Sequence, residues 1–268
     1  TVSPELLAFL RKRERAGRLL SSIRLQVLTI CLEHGPDSEQ LDLLERIVRD
    51  SGLCRMFRDR PLPLEAQRIA VTRTKTLMTQ LNPQSQVNEI LPALGMLGLV
   101  FRPEPSQHRI GNDTALQWFA ALQTIAESIS STTWRRCAFE IGEAIAILDR
   151  ESAVNTWIQD SSSRLRFLAI IALERRGNVE AKQLLKTLCH DDNEKVRLQA
   201  ALALARTGDI RGLSELLQIA QNCSKLIAEH AALNIDFIVG KPADHDLEGI
   251  VAAFLSKRKS LPVKTRRH

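Results

Sequence analysis

The sequence predicts an all-α chain in which an irregular helical N-terminal region is followed by a short α-α solenoid of about four repeats. Three observations predict it. The segment SSRLRFLAIIALERRGNVEAKQLLKTL from Ser162 returns from Asn193 as NEKVRLQAALALARTGDIRGLSELLQI, 31 residues further on. Self-similarity at such a period marks stacked helical units rather than a single globular core. Composition agrees: 44% of the 268 residues are hydrophobic, only 4% are aromatic and none is tyrosine, so the core is made of Leu, Ile, Ala and Val, which suits closely packed helices. Finally, apolar residues recur at helical spacing between caps and Gly/Pro stops along the whole chain.

Each element follows from local chemistry. Ser3-Pro4-Glu5 supplies a cap acceptor, a first-turn proline and an acid near the positive end of the helix dipole. Apolar residues then run through Leu6, Leu10, Leu19, Ile23, Val27 and Ile30 until Gly35-Pro36 stops this helical region. Asp37 with Gln40 has capping-box spacing and opens a helix through Leu41, Leu44, Ile47 and Val48 that ends at Gly52, so the two form a hairpin. Residues 58–63 read as a turn, 64–81 as a polar amphipathic helix ended by Asn82-Pro83, and 87–100 as a short apolar stretch interrupted by Pro92, Gly95 and Gly98. A Pro- and polar-rich loop over 103–113 marks the boundary between a helical N-terminal region, 1–110, and the solenoid, 111–258. Beyond it come helix pairs at 114–128 with 132–148, 151–159 with 162–176, 180–189 with 194–206 and 211–221 with 224–238. A last helix near 245–257 and a basic tail, 259–268, complete the chain.

Sliding the chain by 31 residues puts Leu165 on Val196, Arg166 on Arg197, Ala169 on Ala200, Leu173 on Leu204, Gly177 on Gly208 and Asp160 on Asp191. The resulting pattern, Asp-x5-Arg-x2-Ala-x2-Ala-Leu-x3-Gly-[Asp/Asn]-[Ile/Val], resembles HEAT-like repeats, including the short variety found in phycobilin lyases, over roughly residues 130–256. The resemblance implies helix pairs whose first helix is convex and second concave, with an Asp/Arg ladder between neighbouring units. Carried over, Asp160 with Arg166 and Asp191 with Arg197 are the ladder pairs. One unit later the same offset gives Asn222 and Ala228, and one unit earlier Ile129 replaces the Asp although Arg135 is kept. Terminal units of a solenoid are atypical because they cap it.

The stretch of sequence contains no run of apolar residues long enough for a membrane span, and its first residues lack the plan of a signal peptide. Because it begins at Thr1, it is read as open to being a piece of a longer protein. Five cysteines, Cys31, Cys54, Cys137, Cys189 and Cys223, have no CxxC spacing, which fits reduced thiols and a cytoplasmic setting. No cofactor and no metal is expected: Cys31/His34, Cys189/His190 and Asp244-His245-Asp246 are the suggestive neighbours, and none completes a ligand set or a nucleophile with its base. Catalysis is therefore not expected, and a lyase-like activity stands on the family resemblance alone.

Partner binding is the leading expectation. If Val196, Ala200, Ala203 and Leu204 are the packed side, Leu198 and Leu202 lie opposite, as do Phe167, Ile170 and Ile171 one unit earlier. A helix apolar on both sides must be covered by something. One reading is a concave groove for a partner helix or peptide, carried by Phe167, Ile170, Ile171, Leu198 and Leu202, with Arg164, Lys195 and Arg206 at the rim. The other is that the chain's own N-terminal helices, or curvature between units, close the stripe over. Clusters at Arg11, Lys12, Arg13, Arg15 and Arg18 and at Lys257, Arg258, Lys259, Lys264, Arg266 and Arg267, with a formal charge of +6, make nucleic acid the competing partner.

Overall fold

The computed structural model describes residues 4–15, 21–50, 57, 62–101, 111–148 and 151–239. They hold thirteen helices and no strand: α1 (Pro4–Arg15), α2 (Ser21–His34), α3 (Asp37–Arg49), α4 (Leu64–Gln80), α5 (Val87–Phe101), α6 (Asn112–Ser128), α7 (Ser131–Leu148), α8 (Glu151–Trp157), α9 (Ser163–Arg176), α10 (Val179–Leu188), α11 (Glu194–Arg206), α12 (Arg211–Asn222) and α13 (Lys225–Val239). The start at Ser3, the stop at Gly52, most of the turn before Pro63, and the expected last helix and basic tail lie outside the described residues. So do Cys54 and the basic clusters apart from α1.

Two compact units emerge, Thr1–Leu148 and Asp149–His268. The division falls after Leu148 rather than at the loop before α6, and α5 is the reason. Its Ile90, Ala93, Leu94, Met96, Leu97, Leu99 and Val100 are all buried, and a helix apolar over so much of its circumference needs cover on several sides. It packs on α3, α4 and α7, and α6 pairs with α7. The α6/α7 hairpin, the first repeat of the sequence reading, therefore belongs to the first unit.

Local expectations are made finer at one point in that unit and corrected at two. The helical region read up to Gly35 holds two helices, Pro4–Arg15 and Ser21–His34, packed on one another. Helix α5 runs unbroken through Pro92, Gly95 and Gly98; a Cβ on Gly95 would lie 3.0 Å from the Val48 Cβ, so the glycine admits α3 and the apolar burial sustains the helix across the proline. The capping box at Asp37 does not close, for Pro36 is the N-cap and Gln40 instead donates its Nε2–H to the Gly35 carbonyl at 2.6 Å.

The second unit is a row of hairpins, α8/α9, α10/α11 and α12/α13. Its repeated residues are its helix ends. Gly177 follows α9 with φ +58° and Gly208 follows α11 with φ +78°, the left-handed region that glycine enters without a Cβ penalty. Asn178 accepts the Ala181 N–H at 2.8 Å, and Asn193 accepts the Lys195 N–H at 3.0 Å, capping α10 and α11. Alanines 200, 201, 203 and 205 of α11 are fully buried and let neighbours approach closely. Gly212 of α12 approaches closest: a Cβ there would stand 2.3 Å from the Ala205 nitrogen and 2.7 Å from the Ala201 oxygen.

Gly212→Ala is therefore expected to force backbone against backbone and to lower stability by about 3 kcal/mol, the upper end for overpacking, read as a shift of the urea midpoint. A midpoint unchanged from the parent would show that α11 and α12 are not in backbone contact.

Candidate functional site

The residues repeated at positions 160/166 and 191/197 build one contact between units. Each Asp first serves its own turn: Asp160 Oδ1 accepts the Ser162 N–H at 2.7 Å and Asp191 Oδ1 accepts the Asn193 N–H at 2.8 Å. Each Arg then reaches back along its own helix start, Arg166 Nη1 donating to the Asp160 and Ser161 carbonyls and Arg197 Nη1 to the Asp191 and Asp192 carbonyls. That leaves the outer fork of Arg166 aimed at the next unit, where Nε donates to Asp191 Oδ2 at 2.7 Å and Nη2 to Oδ1 at 2.8 Å. Nη2 also meets Asp192 at 2.6 Å. The side-chain pair is thus Arg166 with Asp191 across the unit boundary, not Arg166 with its own Asp160. Asp191 takes the fork while it still caps its own turn, whereas Asp160 offers Arg166 only its backbone carbonyl.

One unit on, the tie changes. Between α10 and α11 five residues, 189–193, present Asp191; between α12 and α13 helix α12 continues to Asn222 and only Cys223 and Ser224 remain. Asn222 is held inside α12, its side chain donating to the Gln218 carbonyl. Arg197 Nη2 meets the Cys223 Sγ at 3.6 Å instead. Glu194 supplies the link, accepting from the Ser224 N–H at 3.1 Å and from its hydroxyl at 2.6 Å. No pattern at the 31-residue spacing announces this substitute, because Glu194 replaces a loop carboxylate with a helix one.

The expected groove is corrected. Ile170 and Ile171 are 0% and 1% exposed, and Leu198 and Leu202 are 8% and 6% exposed; Phe167 and Arg164 are half-buried, Lys195 and Arg206 exposed. Within this unit α9 touches α8, α10 and α11, while α11 touches α9, α10, α12 and α13. Helices flanked on three or more sides are apolar over most of their circumference without any partner. Arg206 turns back to Glu174 at 3.7 Å.

Large apolar side chains surface in α13. Leu226, Leu233 and Phe237 are 61%, 65% and 83% exposed. They stand 31 residues after Lys195, Leu202 and Arg206, so two solvent-facing cation positions of the inner unit become apolar in the last one. Exposed Glu229 stands where α11 carries Leu198. Their spacing of seven and four residues places them along one side of the helix. Among the described residues no group of three or more His, Cys, Asp and Glu could hold a metal ion, and no helix is long and apolar enough to cross a membrane.

Burial raises the Asp191 carboxyl, and the hydrogen bonds from Arg166 and the Asn193 N–H outweigh it, leaving the group below the ordinary carboxylate value. A carboxylate lowered on folding stabilises above its unfolded-state pKa of about 3.9 and loses that contribution as pH falls toward the folded value. The second unit is therefore expected to hold its stability down to about pH 5 and to lose it progressively in acid. In Asp191→Asn, the buried Arg166 fork loses its counter-charge, which costs about 3 kcal/mol at neutral pH and flattens the acid limb. Equal midpoints for variant and parent across the titration would show that the tie contributes nothing.

Residues 151–235 match the family model described as HEAT repeats, a family whose members commonly act as protein-interaction scaffolds. No curated protein and no solved structure matches the chain. The 31-residue hairpins, their left-handed glycines, the Arg166–Asp191 tie and the family match all fall on one stretch, and residues 151–235 are accordingly a run of HEAT repeats.

Proposed function

We propose that this protein is a non-enzymatic docking module that receives an acidic amphipathic helix of a partner protein on the last HEAT hairpin. The observation that carries the reading is the exposed row Leu226, Leu233 and Phe237, set at positions where the inner unit carries Lys195 and Arg206. Contiguous exposed apolar side chains beside a polar rim mark association surfaces. Leu198 and Leu202 have little area left to bury, and Phe167 is a half-buried ring. Ile170 and Ile171 hold the stack and do not meet the partner. Arg164, Lys195 and Arg206 set the sign: acidic residues flanking the partner's apolar face would be steered by them, raising the association rate more than the final affinity.

A cytoplasmic location belongs to the same proposal. Burial pushes the Cys137 thiol up to about 11 and the Cys189 thiol up to about 12, so both stay protonated and poorly reactive, as suits thiols that pack rather than bridge.

A photo-crosslinking residue placed at Leu233, with exposed Val179 of α10 as the control position, tests the reading in living cells of the source. Adducts at Leu233 that map to acidic amphipathic helices, and that disappear when Phe237→Glu is added without change in the far-ultraviolet spectrum, are expected. Equal adduct yields at both positions would overturn it. So would tight binding of duplex DNA with a steep dependence on salt, which would favour the nucleic-acid reading instead.

A further inference from the structure

The first unit holds a half-open cleft of about 850 Å³ between α3, α5 and α7, within the volume range of small-molecule sites. Its floor is the side of α5 that carries no charge, Leu91, Pro92, Gly95 and Gly98, met by Ala144 and Ile147 of α7. Gly98 adds no side chain to that floor, and at Gly95 Val48 of α3 closes in to form the cleft's other wall. Two charged side chains of its edge stand apart from the other polar groups there. Arg136 and Glu140, one turn apart on α7, both line the cleft and are both exposed. Among the described residues, neither finds a hydrogen-bonding or ion-pairing partner. By contrast, Arg49 is taken up by Glu45 at 3.2 Å, and Glu143, a buried carboxylate of the same lining, is already engaged. Arg before Glu at this spacing is also the weaker order for pairing along a helix. Pro92 has no N–H to offer the Asn88 carbonyl, and Asn88 and Pro92 both line the cleft.

We propose that this cleft binds a zwitterionic amphiphile, an apolar body carrying a cationic and an anionic group side by side. Arg136 takes the anion, a carboxylate or phosphate, and Glu140 the ammonium. The Asn88 carbonyl accepts any remaining N–H or O–H. Side chains four apart on a helix stand about 6 Å from one another, a separation suited to charges on neighbouring groups of one headgroup and too small for two separate ligands. A singly charged amphiphile would leave either Arg136 or Glu140 facing a like charge. Two sources share the chemistry, a zwitterionic lipid headgroup and an apolar free amino acid.

Calorimetric titration of the full chain with dodecylphosphocholine, dodecanoate and dodecyltrimethylammonium, each below its micellar concentration, and separately with free leucine, tests the proposal. Saturable one-to-one binding of the phosphocholine, about tenfold tighter than either singly charged amphiphile, is expected for a lipid-type source; binding of leucine with the same dependence on Arg136 and Glu140 assigns the amino-acid source. Arg136→Glu should move the preference to the ammonium compound and Glu140→Lys to dodecanoate, while Ile147→Trp fills the cleft and weakens every ligand. Both charge variants alter exposed positions, so the fold survives them. Equal affinity for all headgroups, binding that does not saturate, no binding of any probe, or indifference to both charge variants would overturn the assignment.

Discussion

A guanidinium with every N–H occupied holds the HEAT hairpins together. Arg166 donates to two carbonyls of its own turn and to Asp191 and Asp192 of the next. A charge taken out of water costs several kcal/mol, and it is tolerated only where opposite charge and good geometry meet it. Here both conditions are local consequences of helix capping: the near Asp shapes the turn, the turn presents its carbonyls, and the carbonyls fix the direction of the fork. The planar fork matches a carboxylate bidentately, which lysine could not do. Register between hairpins is thereby set by a directional contact, while the alanines of α11 and Gly212 supply the close approach that dispersion and burial need.

Where that contact stops, the surface changes character. Arg197 keeps its hold on the Asp191 and Asp192 carbonyls but faces Cys223, because the loop that would offer a carboxylate has become the last turn of α12. Glu194 and Ser224 keep α13 attached. The same last hairpin carries Leu226, Leu233 and Phe237 in water. A repeat released from the pattern that its predecessors obey is the place where a solenoid can present something other than its own continuation.

The first unit works on a different principle. Its core gathers around α5, a helix that contains a proline and two glycines and is kept by burial of Ile90, Met96 and Leu97, each fully covered. Nearby, Glu14 is buried and answered by Arg24 at 2.9 Å and by Arg46, another case of an interior charge met from two sides. The cleft lies within this packing, lined by α3, α5 and α7 together.

What the sequence by itself determined was everything local. The repeat of Gly177 and Gly208, the caps Asn178 and Asn193, and the Asp and Arg six apart could be read because backbone conformation and capping depend on residues a few positions away. The helical class and the run of hairpins follow from them. Tertiary structure alone decided which Asp each Arg meets, since Arg166 chooses between Asp160 and Asp191 only once two hairpins stand side by side. It decided that Ile170 and Ile171 are buried, because an apolar residue is core or groove according to how many helices surround it. It also decided that α5 runs through Pro92 and that α6 and α7 belong with it. Those outcomes rest on contacts between residues far apart in the chain, and their energies exist only when the packing does.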